Sequence, residues 1–131
     1  MFKCTLTYDN YDDEPVTEDF YFHLSELDLL ELESSKVGGF ENYLKEIIAA
    51  KDMPTLITLF KDLINRSYGI KAEGGKFYKS PDIIRDFEAS AAYSEMFTKL
   101  ATDEKFASEF VMGVIPKRIR EDIAKEMKNQ Q

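Results

Sequence analysis

The chain has 131 residues, with 17 Lys and Arg against 25 Asp and Glu for a formal net charge of -8, and 44% apolar residues, including ten Phe and seven Tyr. One Cys excludes a disulfide framework and a Cys-based zinc site, and one His leaves little for metal ligation or for a Ser-His or Cys-His pair. The acidic balance repels a polyanion, no apolar run is long enough to span a bilayer, and the apolar content supplies a core for about one domain.

Residues 2–8 alternate apolar and polar, which predicts a strand with Phe2, Cys4, Leu6 and Tyr8 on one face. Residues 16–23 repeat the alternation with Val16, Phe20 and Phe22. The acidic run Asp9–Glu14 and Pro15 separate the two as a turn, so the start of the chain reads as a β-hairpin with one buried face. The run is no EF-hand loop, because the positions that need Gly and Glu hold Glu14 and Phe20. Residues 1–35 carry ten acids and one base, whereas 36–80 balance to +3 and 81–131 to -2, so the charge is concentrated at the front. The first ten residues lack the apolar core of a signal peptide. Cys4 reads as a small buried hydrophobe, and His23 as a packing or edge residue rather than a ligand.

Ser25 opens a short helix with Asp28 at capping-box spacing, and Leu24, Leu27 and Leu30 are its expected apolar side. Gly38-Gly39 stop it or join it to the next helix, and with no Gly-Lys-Ser/Thr behind them they are no phosphate loop. Residues 40–51 place Phe40, Tyr43, Leu44, Ile47 and Ile48 on one stripe. Asp52 caps a third helix with Pro54 in its first turn. Leu56, Ile57, Leu59, Phe60, Leu63 and Ile64 give this helix a wide apolar face at the centre of the core, and Gly69 is its expected C-cap.

Residues 70–79 have turn residues in their middle and read as a second small hairpin or an ordered loop. Ser80-Pro81-Asp82 is a helix start, with Ile83, Ile84 and Phe87 facing inward. Tyr93, Met96, Phe97 and Leu100 mark the next helix. Asp103 restarts one with Phe106, Phe110 and Val111 inside, bracketed by Gly113 and Pro116. In 117–131 only Ile119, Ile123 and Met127 recur at helical spacing, a stripe too narrow for deep burial. That segment reads as a lightly packed terminal helix, a partner-binding helix or a frayed end, and its basic knot Lys117, Arg118 and Arg120 as a solvated face. The fold class is therefore α+β: an N-terminal β-hairpin on a mainly helical body of about five to six helices, with 1–116 as one domain and 117–131 as a C-terminal helix or tail.

No HExxH, GxSxG or GxGxxG pattern is present, and nothing in the spacing of the acids selects a catalytic pair, so binding or assembly is favoured over carboxylate-based hydrolysis. No catalytic, metal or cofactor-binding residue is assigned. A short chain has a high surface-to-volume ratio, and aromatic and Met side chains are favoured at interfaces. Tyr11, Tyr21, Phe77, Tyr78 and Tyr93 are candidates for an exposed partner or self-association surface, joined by Ile119, Ile123 and Met127; ordinary burial is the competing reading for each.

The order of motifs resembles the tail assembly chaperones of long-tailed bacteriophages and prophages. Its carriers are Thr17–Leu24 leading to Leu27 and Leu30, Gly38-Gly39-Phe40 with Tyr43–Ala49, Phe60–Ile64 with Ser67-Tyr68-Gly69, Gly75-Lys76-Phe77 with Lys79-Ser80, Ala92–Phe97 with Leu100–Asp103, and Ala107, Phe110, Gly113 and Pro116. The Ala72–Gly75 turn departs from the pattern where an Asp-Gly pair is expected, and residues past Pro116 match nothing. The resemblance implies a non-enzymatic protein without cofactors. It would work in the cytoplasm of the bacterial host, bind the tape measure protein, keep it soluble during tail assembly and be absent from the mature virion. It further implies self-association, with a frameshift-extended form of the chain and the tail tube protein as other partners, and no nucleic acid or membrane. The alternative is a small prophage adaptor or regulatory protein that binds one folded partner.

Overall fold

A computed structural model describes residues 1–117 and 119–121; the side chain of Ile48 is outside the description, as are the expectations placed on Arg118, Ile123 and Met127. The order of elements is β1 (Phe2–Asp9), β2 (Pro15–Phe22), α1 (Glu26–Ser35), α2 (Gly39–Ala49), α3 (Met53–Ser67), β3 (Tyr68–Ala72), β4 (Lys76–Tyr78), α4 (Pro81–Glu88), α5 (Ala91–Thr102) and α6 (Glu104–Val114). Among the described residues the four strands form one antiparallel sheet in the order β1-β2-β3-β4, with the helices α1–α6 packed around it, an α+β fold.

The hairpin β1–β2 is paired along its whole length, from Phe2↔Phe22 to Asp9↔Pro15. Cys4, Leu6, Phe20 and Phe22 are buried on its inner face, while Thr5, Thr7, Thr17 and Asp19 line the outer one. The alternation read in the sequence is thus the alternation of the pleat. The turn closes through Asn10, whose side-chain carbonyl accepts from the N–H groups of Asp12 and Glu14 at 2.9 and 3.0 Å. Phe2 meets Phe110 edge-on at 5.5 Å, Phe22 meets Phe110 at 5.3 Å, and Phe87 stacks on Tyr68 at 4.1 Å. Offset and edge-on pairing of this kind adds to plain burial.

The helix caps form as their residues dictate. Ser25 and Asp28 make a full capping box, and Asp52, Ser80 and Asp103 each accept an N–H three residues on. Gly38, at φ 81, turns the chain from α1 into α2 through the left-handed region.

Three expectations are corrected. On α1 the buried residues are Leu29 and Leu32, whereas Leu27 and Leu30 face solvent. With Leu on every side of the helix, periodicity gives it no direction; the tie from Asp28 to the distant Lys79 sets its rotation. Ile57 lies outside the α3 core face, which is Phe60, Leu63 and Ile64 backed by half-buried Leu56 and Leu59. Gly69 is not a helix cap: Tyr68 occupies that place in extended geometry, and Gly69 is a buried β3 residue paired with Tyr21. Gly113 and Pro116 do bracket the end of α6 at Val114, and the missing side chain of Gly113 makes room for the ring of Phe2.

Candidate functional site

Two polar knots tie the elements together, one between helices and the end of the second hairpin and one among helices alone. Asp28 bonds the Ser25 N–H at 2.8 Å and the Lys79 ammonium at 2.7 Å, and the same ammonium donates to the Arg66 carbonyl at 2.7 Å. One cation thereby joins the start of α1, the end of α3 and the end of the second hairpin. Burial alone would push the Asp28 carboxyl up; the bonds from Lys79 and Ser25 outweigh it and hold the carboxyl below its ordinary range. In the second knot Tyr43 donates to Asp62 at 2.6 Å, Arg66 Nε donates to both Asp62 oxygens, and the Lys36 ammonium lies 3.7 Å away. Burial and the adjacent Asp62 carboxylate drive the Tyr43 phenol far above its usual pKa, so it is a permanent donor.

His23 sits beside the first knot. Its backbone N–H donates to the Ser67 carbonyl at 2.8 Å, and burial, with the N-terminal ammonium and Lys79 nearby, pushes its imidazole below the usual value. It serves as a packed corner residue, as its position after the aromatic run suggests. Cys4 is buried and burial raises its thiol pKa, which makes it a poor nucleophile.

The surface offers no enclosed cleft for a small molecule among the described residues. The larger depression, about 480 Å³, is open and lined by Lys79, Ser80, Pro81, Ile84, Arg85 and Glu88. The other, between α3 and α5, holds about 10 Å³ and is walled by Met53, Leu56, Ile57, Phe60, Phe97, Leu100 and Ala101. Among the described residues no cluster of His, Cys, Asp or Glu is placed to hold a metal, and no helix is long and apolar enough to cross a membrane.

What the surface does offer is apolar side chains. Of the residues singled out in the sequence, Tyr11 is 77% exposed at the β1–β2 tip and Tyr78 is 49% exposed on β4. Tyr21 and Phe77 are half-buried on the outer face of the sheet, around Gly69, with Lys71 over the Tyr21 ring at 5.4 Å and Lys79 over the Phe77 ring at 5.8 Å. Tyr93 is half-buried, its hydroxyl on Asn65 at 3.0 Å and its ring against Phe87 and Phe97; Ile119 packs on the core. The structure therefore gathers Tyr21, Phe77 and Tyr78 at one end of the sheet and leaves Tyr11, Tyr93 and Ile119 apart.

Further exposed apolar side chains lie on the helices. Leu27 and Leu30 on α1 are 64% and 66% exposed, and Met53 and Ile57 on α3 are 51% and 47% exposed. Val37 and Ile70 are exposed as well. In the sequence Leu27, Leu30 and Ile57 were indistinguishable from core residues; on α3 the signal was an apolar arc too wide for one buried face.

A profile of the family described as phage tail assembly chaperone matches residues 1–131. No curated protein and no solved structure gives a significant match to the chain.

Proposed function

The chain belongs to the phage tail assembly chaperone family, and from that premise we propose that it binds the tape measure protein and keeps it soluble while the tail is assembled, with no chemical step of its own. The observation that carries this reading is a family match over the whole length on a molecule whose exposed large side chains include Leu27, Leu30, Met53, Ile57, Tyr11 and Tyr78. Exposed patches of this kind on a monomer mark interaction surfaces. Spread over several elements, they favour many shallow contacts with an extended client over one deep site. Contacts that are individually weak become firm when many copies act along one long client. The excess of acid in the first thirty-five residues keeps closely spaced copies from aggregating.

The test is co-expression with the tape measure protein of the same phage or prophage. Its soluble yield should rise several-fold, and it should co-purify with more than one copy of the chaperone. Unchanged solubility together with no co-purification would refute the reading, and a fixed one-to-one complex with a compact folded protein would favour the adaptor alternative. We also assign its work to the host cytoplasm before the tail is complete, so mass spectrometry of finished virions should lack its peptides.

A further inference from the structure

The sheet opens where β3 parts from β2. Pairing between the two ends at Tyr21↔Gly69, and from Ile70 to Ala72 β3 pairs with β4 alone. β2 stays paired with β1 down to Asp9↔Pro15. The half of β2 from Pro15 to Asp19 therefore has a strand on one side and, among the described residues, none on the other. Thr17, Glu18 and Asp19 are all exposed.

The parity of the hydrogen bonds fixes which groups are left over. The His23 N–H donates to the Ser67 carbonyl at 2.8 Å, and Tyr21 is paired with Gly69. In an antiparallel ladder every second residue turns its N–H and C=O to the same neighbour. Counted back from His23 and Tyr21, Asp19 and Thr17 aim theirs at the side where β3 has left. Their side chains reach the other way: the Thr17 hydroxyl pairs with that of Thr7 at 3.0 Å, and the Asp19 carboxylate accepts from Thr5 at 2.6 Å, both on β1. Two donors and two acceptors are thus open in the spacing that an added strand reads.

We propose that this edge of β2 takes up an extended, Lys- or Arg-rich segment of another protein as an added strand. Charge selects the occupant. The edge carries Glu14, Glu18 and Asp19, and no Lys or Arg lies between Lys3 and Lys36. Lys3 answers Asp19 at 3.6 Å, and Glu18 accepts from the Tyr8 hydroxyl, which leaves its charge in place. Two β2 edges laid together would set acid against acid, so the edge is guarded against a second copy. A basic strand turns the same charges into attraction. Ile70, the first β3 residue past the last β2 pair, and its cross-strand partner Tyr78 are each 49% exposed. They offer a surface for apolar residues that alternate with the basic ones. This contact uses backbone groups rather than the exposed apolar side chains assigned to the client, so its test needs no tape measure protein.

The probe is a peptide of about ten residues alternating Lys and Val, added to the isotope-labelled full chain. In amide NMR spectra the Thr17 and Asp19 signals should shift, and at saturation both N–H groups should exchange with solvent at least about tenfold more slowly. The same peptide methylated on the backbone nitrogens of its central residues keeps its charge but loses its donors, and should bind at least about tenfold more weakly. A Glu-Val peptide of equal length should not bind. Thr17→Pro deletes one outward N–H at an edge position, where proline is tolerated; it should keep native circular dichroism and weaken the Lys-Val peptide about tenfold. Glu14→Gln with Glu18→Gln should weaken it severalfold and flatten its salt dependence. Absence of binding by the wild-type chain overturns the proposal. So does binding that leaves the Thr17 and Asp19 amides unmoved, or a methylated peptide that binds as well as its parent. Slow exchange of both amides before any peptide is added also overturns it, because the edge is then filled by this chain or a second copy. Should Thr17→Pro fail to fold, the methylated peptide decides.

Discussion

Gly69 gives the sharpest test of the architecture, because its two readings differ severalfold in the cost of one substitution. As a left-handed helix cap it would accept Asn at a cost of a few tenths of a kcal/mol, since Asn tolerates that conformation. The structure puts it instead in the buried strand β3, with no positive φ. A Cβ there would lie 2.6 Å from Phe77 Cζ and 2.8 Å from the Tyr78 backbone oxygen. The ring can swing aside, but the carbonyl belongs to the neighbouring strand and moves only if β4 moves. Overpacking of this kind costs about 1–3 kcal/mol for Gly69→Ala, and Gly69→Asn, which adds a polar group to the same space, should reach about 3 kcal/mol or more. At roughly 3–5 °C per kcal/mol for a chain of this size, Gly69→Ala should melt about 3–15 °C below wild type. Gly74 is the control: its φ is 79 and nothing lies within 4 Å of its added Cβ, so Gly74→Asn should shift the melt by less than about 2 °C. The assay is thermal unfolding followed by circular dichroism, repeated on Gly69→Ala with Phe77→Leu, which should recover part of the loss. A Gly69→Asn variant as stable as wild type would refute the close approach of β3 and β4 and return Gly69 to the role of a cap.

Other outcomes follow from the polar knots and the core. Tyr43→Phe removes a 2.6 Å bond to the Asp62 carboxylate and should cost about 1.5–2 kcal/mol in urea unfolding. A double-mutant cycle with Asp62→Asn should show a coupling of about 0.5 kcal/mol or more. The Asp28 carboxyl is held below its unfolded value of about 3.9. Its contribution is therefore complete above that pH and is lost as pH falls through the lower folded value; Asp28→Asn should flatten the stability profile below about pH 4. His23 is also lowered, so the unfolded chain binds more protons, and stability should decline as pH falls below about 6.5; His23→Gln should remove that slope. The buried Cys4 thiol should react with a disulfide reagent at least about 100-fold more slowly in the native protein than in urea.

Most of the fold was legible because local signals and burial agree. The hairpin β1–β2 was readable from alternation, and the starts of α1, α3, α4 and α6 from Ser25, Asp52, Ser80 and Asp103, since capping is a property of a few consecutive residues. The exposed face of α1 was not legible. Leu27, Leu29, Leu30 and Leu32 surround the helix, and the choice among them is made by Lys79, far along the chain. Gly69 was misread for the same reason: a Gly behind a helix is a cap by local rule, and only the strand pairing to Tyr21 overrides it. As for the candidate surface, Tyr11 and Tyr78 were legible as exposed aromatics, whereas the apolar pairs on α1 and α3 depend on helix rotations that no local pattern sets.

The hairpin β1–β2 is made before the helices that close its inner face, α6 among them. Phe2 lies against Gly113 and Phe110, and the Leu24 N–H donates to the Val114 carbonyl at 2.7 Å. During synthesis Phe20 and Phe22 can meet Tyr68 and Phe87 first, whereas Phe2 waits for Phe106 and Phe110 of α6. Completion of α6, rather than growth of the N-terminal half, is the event that closes the fold over Phe2, and any fusion or truncation that displaces α6 acts on β1 as directly as on α6 itself.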